Sequence, residues 1–295
     1  MFTLPVVLMM ALCILSYTLS ALFSKFFSSS YPGNANIATP VFSVIYGLII
    51  GIYAIVVAKF QFAPSLETWT FGICCGTAIF LYNLGGIYAA RTGPYALLSC
   101  IRSSGNVVVP LLFSVCWWND RINTMQLAGI VLMVVALFVI NIHGDREQIL
   151  HKSYFFWVFL LFVSNGVVGV LNDSQQRVMM QTQRSEMMIV TYISSSAISV
   201  IYLLIVSGKG FGTAFTMLRP TWLWAVGSGV TAALGVHLLM MLLGQVTASI
   251  LYAIQNGMIL VLSVLLSVIM FHEKVTQGFI TGTMLVILSL VLLSM

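Results

Sequence analysis

Two stretches of this chain superimpose without a gap at an offset of 153 residues, and each is three apolar segments long. Thr68-Trp69 returns as Thr221-Trp222, Leu112-Phe113-Ser114-Val115 as Leu265-Leu266-Ser267-Val268, and Asp120-Arg121 as Glu273-Lys274. Gly129 and Gly282 close the two stretches, each nine residues after its acid. A duplication of this kind constrains the architecture before any local pattern does, because both copies must form the same unit.

The duplicated unit is oily. With 60% apolar residues, 6% charged residues and a mean hydropathy of +1.06, the chain cannot fold as a water-soluble globule with a charged exterior. A helix crosses the hydrocarbon with about 20 apolar residues. Ten segments meet that need, at 3–23, 36–58, 69–89, 93–117, 124–142, 153–172, 186–207, 220–242, 246–270 and 275–294. Strands of an outer-membrane barrel would alternate over about ten residues, whereas the run from Ile130 to Ile140 is continuously apolar.

The expected fold class is therefore an all-α polytopic membrane protein, with ten transmembrane helices in two inverted five-helix repeats. Residues 1–142 form the first repeat, 143–152 a connecting loop and 153–295 the second. The second repeat is inverted because five is odd, so its first helix enters from the opposite side. The offset pairs segment 3 with 8, 4 with 9 and 5 with 10; segments 1 and 6 follow by position, and 2 and 7 need a shift of a few residues. Transporters built this way hold substrate near the midplane between the halves and expose it to each side in turn.

The net charge of +5 is spread over the connections, as juxtamembrane orientation signals are, with no basic run for a nucleic acid. Lys59, Arg121, Arg177 and Arg184 fall on the face carrying both termini, against Lys25, Arg91, Arg146, Lys152, Lys209, Arg219 and Lys274 on the other, a balance that favours outward termini. The first segment has no basic leader and no small-residue cleavage site, so it reads as a retained helix. Cys13, Cys74, Cys75, Cys100 and Cys116 lie in apolar segments without metal-ligand spacing. There is no phosphate-binding glycine loop, zinc motif or partnered nucleophile. The chain is not expected to be an enzyme, and no catalytic residue, metal or cofactor is expected.

Arg102 is the residue that asks for explanation, since an arginine at a helix centre costs about 2.5–3.5 kcal/mol on insertion scales. Tyr95, Ser99, Arg102 and Asn106 are spaced by four, three and four, which puts them on one helical stripe. A stripe of this kind belongs against the bundle interior or a water-filled cavity. A guanidinium there offers a fork of donors suited to a carboxylate or phosphate; alternatively it ties segment 4 to a neighbour through carbonyls or a buried acid.

At the repeat offset Arg102 corresponds to Gln255, Ser103 to Asn256 and Ser99 to Tyr252, so Tyr252, Gln255 and Asn256 are substrate-binding candidates in segment 9. Asn83, Asn165 and Tyr17 join them from polar stripes in segments 3, 6 and 1. Each can also be read as interhelical packing or hydrogen-bonding glue. His237 and Asp173 are candidates for proton coupling, His237 because an imidazole titrates near pH 6.5, and Asp173 as the carboxylate nearest the polar stripes; a structural histidine and a solvated helix-end acid are the alternatives.

Ten helices in two inverted halves, with an acid at the end of the fourth helix and a glycine nine positions on in the fifth, resemble the drug/metabolite transporter superfamily in its ten-helix EamA-type branch. Asp120 to Gly129 and Glu273 to Gly282 carry the motif, and the resemblance covers the whole length. It implies a central cavity lined mainly by helices 1, 3, 4, 6, 8 and 9, with helices 5 and 10 peripheral. It also implies exported or exchanged amino acids, related metabolites, nucleotide derivatives or drugs. Smaller four-helix relatives that export organic cations use a glutamate in helix 1, which this chain lacks. The expected function is secondary active transport of a small anionic or zwitterionic metabolite. The expected partners are that solute and the lipid bilayer, in the inner membrane of a bacterial cell, as monomer or homodimer. A multidrug cation exporter and a non-transporting lipid-handling or assembly protein are the alternatives.

Overall fold

The computed structural model describes residues 4–92, 95–118, 123–142, 152–179, 182–208, 211–243, 245, 248–272 and 277–294. Among these there is no strand. The helices are α1 (Leu4–Ser30), α2 (Ala35–Val57), α3 (Leu66–Thr92), α4 (Tyr95–Trp118), α5 (Thr124–Ile142), α6 (Lys152–Val178), α7 (Arg184–Ser207), α8 (Phe211–Thr216), α9 (Trp222–Leu243), α10 (Ala248–Phe271) and α11 (Gln277–Ser294). Six of them, α1, α2, α3, α6, α7 and α9, contain spans long and apolar enough to cross a membrane. An all-helical chain with several such helices has the character of a multi-pass integral membrane protein.

Local chemistry sets the helix limits. At the start of α5, Asn123 and Gln126 form a reciprocal cap: Asn123 Oδ1 accepts from the Met125 N–H at 3.4 Å, and Gln126 Oε1 from the Asn123 N–H at 3.1 Å. Ser65 Oγ similarly accepts the Thr68 N–H at the start of α3. Lys59 and Phe60, both at positive φ, turn the chain out of α2. Helices α1, α3 and α6 outrun their sequence windows because polar ends continue the backbone ladder after the apolar run stops. The sequence reading treated 208–219 as plain connection, yet it contains the one-turn-and-a-half α8. Its Ala214 is buried, and the Ala214 carbonyl accepts from the Tyr31 hydroxyl at 2.8 Å.

Polarity is distributed inside out relative to a soluble protein. Leu4, Leu8, Leu12, Leu15 and Leu19 run exposed down one side of α1, while Ser16, Ser20 and Ser24 are buried on its other side. Trp69, Trp117 and Trp222 lie exposed near helix ends, where amphipathic rings suit a membrane–water interface.

The principal contacts join helices from before residue 143 to helices from after it: α1 with α9, α2 with α7 and α9, α3 with α6 and α7, α4 with α6 and α10, and α5 with α11. Exchanging α1–α5 in order with α6, α7, α9, α10 and α11 maps these pairings onto one another, except that α4·α6 goes to the lesser contact α1·α10. Thus α1·α9 exchanges with α3·α6 and α3·α7 with α2·α9, while α2·α7, α4·α10 and α5·α11 each return to themselves. Small residues let these helices meet closely. A Cβ on Gly76 would stand 2.5 Å from the Thr191 carbonyl oxygen of α7, and one on its counterpart Gly229 2.9 Å from Ile49 Cδ1 of α2. The α5·α11 pair is tied by Ser289 Oγ donating to the carbonyl of Gly129 at 2.7 Å.

Candidate functional site

At the centre of this packing lies a cavity of about 210 Å³, bordered by α1, α2, α3, α4, α6, α7, α9 and α10 and by no described residue of α5 or α11. Seven of the residues expected from sequence line it together: Tyr17, Asn83, Arg102, Asn106, Asn165, Gln255 and Asn256. The side chains of Tyr95, Ser99 and Tyr252 lie outside the described residues, as do Asp120 and Glu273.

Among the described residues Arg102 is the one cation in the lining. Its guanidinium carbon lies 5.3 Å from the centroid of the Tyr82 ring, within cation–π range. Its own carbonyl accepts a hydrogen bond from Asn165 Nδ2 at 2.7 Å, which fixes the α4 backbone to α6 at this level. Among the described residues no carboxylate lines the cavity or pairs with the guanidinium, and Nε is buried without a partner. Asn83 Nδ2, Thr191 Oγ1, Gln255 Oε1 and Ser263 Oγ border the same cavity in the same condition. A buried polar group left without a partner costs about 1–3 kcal/mol, and these five, from α3, α4, α7 and α10, are spread around the one cavity.

The wall opposite in character is aromatic and soft. Tyr46 of α2 and Tyr192 of α7 face each other with ring centroids 6.2 Å apart, and Met187, Met188 and Met240 add polarizable surface. Below Tyr17, the α1·α9 contact is a reciprocal clamp in which Ser20 Oγ donates to the Ser228 carbonyl and Ser228 Oγ to the Ser20 carbonyl, each at 3.0 Å. At the exchanged position in α3·α6, Cys75, the counterpart of Ser228, directs its thiol to Asn172 Oδ1 at 3.9 Å.

The two proton-coupling candidates lie elsewhere. His237 of α9 meets the Tyr53 ring edge-on, with centroids 5.6 Å apart, and does not line the cavity. Asp173 is bonded to Arg177 Nε at 2.9 Å in an i,i+4 pair whose side chains are 41% and 40% exposed. Sequence reasoning passed over the walls formed by α2 and α7. A partial signal was present in Thr191, Ser195 and Ser199, all buried and four residues apart, although of the three only Thr191 lines the cavity. Tyr82 stands beside Asn83 and was equally within reach.

No family model and no curated protein matches the sequence. The fold does resemble that of a protein known from a crystal structure, with a TM-score of 0.64 at 14% sequence identity, covering 96% of this chain and 97% of that one. A likeness at that identity is one of fold, extending over nearly the full length of both chains.

Proposed function

We propose that the chain is a secondary active transporter of the ten-helix EamA type, made of two inverted five-helix halves, which moves a small carboxylate-bearing solute, anionic or zwitterionic, by alternating access through the central cavity. The observation that carries this reading is Arg102, a cation on the cavity wall with a buried unpartnered Nε and no acid beside it. A guanidinium held in this way is an anion site that the protein leaves for a solute.

Two further observations support it. The exchange symmetry of the helix contacts is what two inverted copies packed face to face would produce. A cavity of about 210 Å³ with one positive charge suits a solute with a single carboxylate, and is smaller than the roughly 300–1,000 Å³ of pockets for drug-sized ligands. Among the described residues no Asp or Glu lines the cavity, which weighs against an organic cation as substrate.

Uptake of labelled amino acids and small organic acids into proteoliposomes tests the reading. Flux of at least one carboxylate is expected to vanish in Arg102→Ala and to persist with reduced affinity in Arg102→Lys, because a lysine keeps the charge and loses the fork. Flux of lipophilic cations indifferent to Arg102 would point to a cation exporter, and no flux of any solute to a membrane protein that does not transport.

A further inference from the structure

The guanidinium of Arg102 rests on a particular face of α3. Tyr82 and Gly86 are one helical turn apart on that face, and the arginine lies across both. Its Cζ is 5.3 Å from the Tyr82 centroid, and its Nη2 occupies the space beside Gly86, 2.9 Å from where a Cβ would be. We infer that Tyr82 and Gly86 form a seat that positions Arg102 toward the cavity, Tyr82 holding the guanidinium by its ring and Gly86 making room for Nη2 by having no side chain. The inference deepens the transport reading, since it concerns the anion site on which that reading rests.

The neighbouring glycine shows that the fold does not explain Gly86. A Cβ on Gly85 would stand 2.8 Å from the Trp157 carbonyl oxygen and 2.9 Å from the Leu161 N, backbone atoms of α6 that cannot yield. Gly85 is therefore needed for the α3·α6 contact. At Gly86 the next atom after Nη2 is Leu161 Cδ1 at 3.6 Å, an ordinary contact, so what a Cβ would displace is the far end of the Arg102 side chain and not the packing of α3 on α6. The duplication gives a second, independent argument. At the offset of 153, Tyr82 corresponds to Gly235, Gly86 to Leu239 and Arg102 to Gln255. The second half has neither ring nor gap at these positions, and Gly235 instead receives the ring of Tyr17, 3.1 Å from its Cβ position. The seat occurs in the half that carries the cation.

The test uses the full-length protein in detergent, with phenylglyoxal as an arginine-directed probe and peptide mass spectrometry to follow each site. Exposed Arg219 serves as internal reference. Gly86→Ala displaces Nη2 from α3, and Tyr82→Leu removes the ring. In both, labelling of Arg102 relative to Arg219 is expected to rise by about 2- to 30-fold, the interval that cation–π attraction spans at one decade per 1.4 kcal/mol. Tyr82→Phe keeps the ring and is expected to keep the slow labelling. The melting temperature of Gly86→Ala is expected to hold or rise, since alanine is the better helix former, whereas Gly85→Ala is expected to melt lower. Unchanged Arg102 labelling in both Gly86→Ala and Tyr82→Leu overturns the seat whatever the flux measurements give. Faster labelling together with carboxylate flux that survives Arg102→Ala leaves the seat standing and removes Arg102 as the anion site of the transport reading.

Discussion

Gly76 and Gly229 occupy the same position in the two copies of the repeat but face different atoms, so replacing each by alanine separates the packing contribution from helix propensity. Alanine gains about 1 kcal/mol over glycine inside a helix. At Gly76 the new Cβ would meet the Thr191 carbonyl oxygen at 2.5 Å and the Ser195 N at 2.9 Å, backbone atoms of α7 with no rotamer to change. α3 and α7 must then part, and a gap of about 0.5–1 Å forfeits a quarter to a half of each dispersion contact along the seam. Overpacking of this kind costs about 1–3 kcal/mol, and at backbone atoms the upper part of that range applies, leaving Gly76→Ala less stable by about 1–2 kcal/mol. At Gly229 the three nearest atoms belong to the half-buried Ile49 side chain, Cδ1 at 2.9, Cβ at 3.1 and Cγ2 at 3.3 Å; Cδ1 can rotate away and the other two need give only a few tenths of an ångström. The cost there is about 1 kcal/mol and cancels the propensity gain. Thermal unfolding in detergent, followed by helix circular dichroism, is expected to show a melting temperature lower by about 2–8 °C for Gly76→Ala, at roughly 2–4 °C per kcal/mol, and closer to the parent for Gly229→Ala. Equal losses at the two sites, or the larger loss at Gly229, would refute the reasoning.

Two further expectations follow from named contacts. The Ser20 and Ser228 hydroxyls also lie 3.1 Å apart, so replacing them by alanine, singly and together, is expected to give a coupling energy of about 0.6–1.7 kcal/mol in a double-mutant cycle, the range for hydrogen bonds between membrane helices; independent effects would show that the two hydroxyls do not act together. Asp173→Asn is expected to change stability by no more than about 1 kcal/mol, because its partner Arg177 and the carboxylate are both about two-fifths exposed. A loss several times larger would mean that this pair braces α6.

Much of the helical layout was legible in the sequence because apolar runs in a membrane protein are bounded by charge. The window 124–142 coincides with α5, where Asn123 and Gln126 mark the start in the sequence itself. The polar wall was legible for the same reason. Arg102, Asn106, Asn165 and Gln255 are conspicuous in oily helices, and they do converge on one cavity. The tyrosines were not legible, since Tyr46 and Tyr192 read equally well as lipid-facing or interfacial rings until their 6.2 Å approach is seen. Helices α2 and α7 carry them, and those are the helices on which the repeat has drifted, so no counterpart drew attention to either residue. Gly85 and Gly86 stand side by side in the sequence with nothing to tell them apart, and only their neighbours reveal that one meets the α6 backbone and the other a side chain.

Thermal-shift titration of the parent protein and Arg102→Ala, against matched carboxylates, their neutral amides and lipophilic cations, tests the central claim most directly. A ligand that binds the folded state at 100 times its dissociation constant stabilises it by about 2.7 kcal/mol. The account predicts that at least one carboxylate raises the melting temperature of the parent, that its amide does not, and that Arg102→Ala abolishes the rise. A panel in which cations stabilise the protein, or in which carboxylates stabilise parent and variant alike, would contradict it.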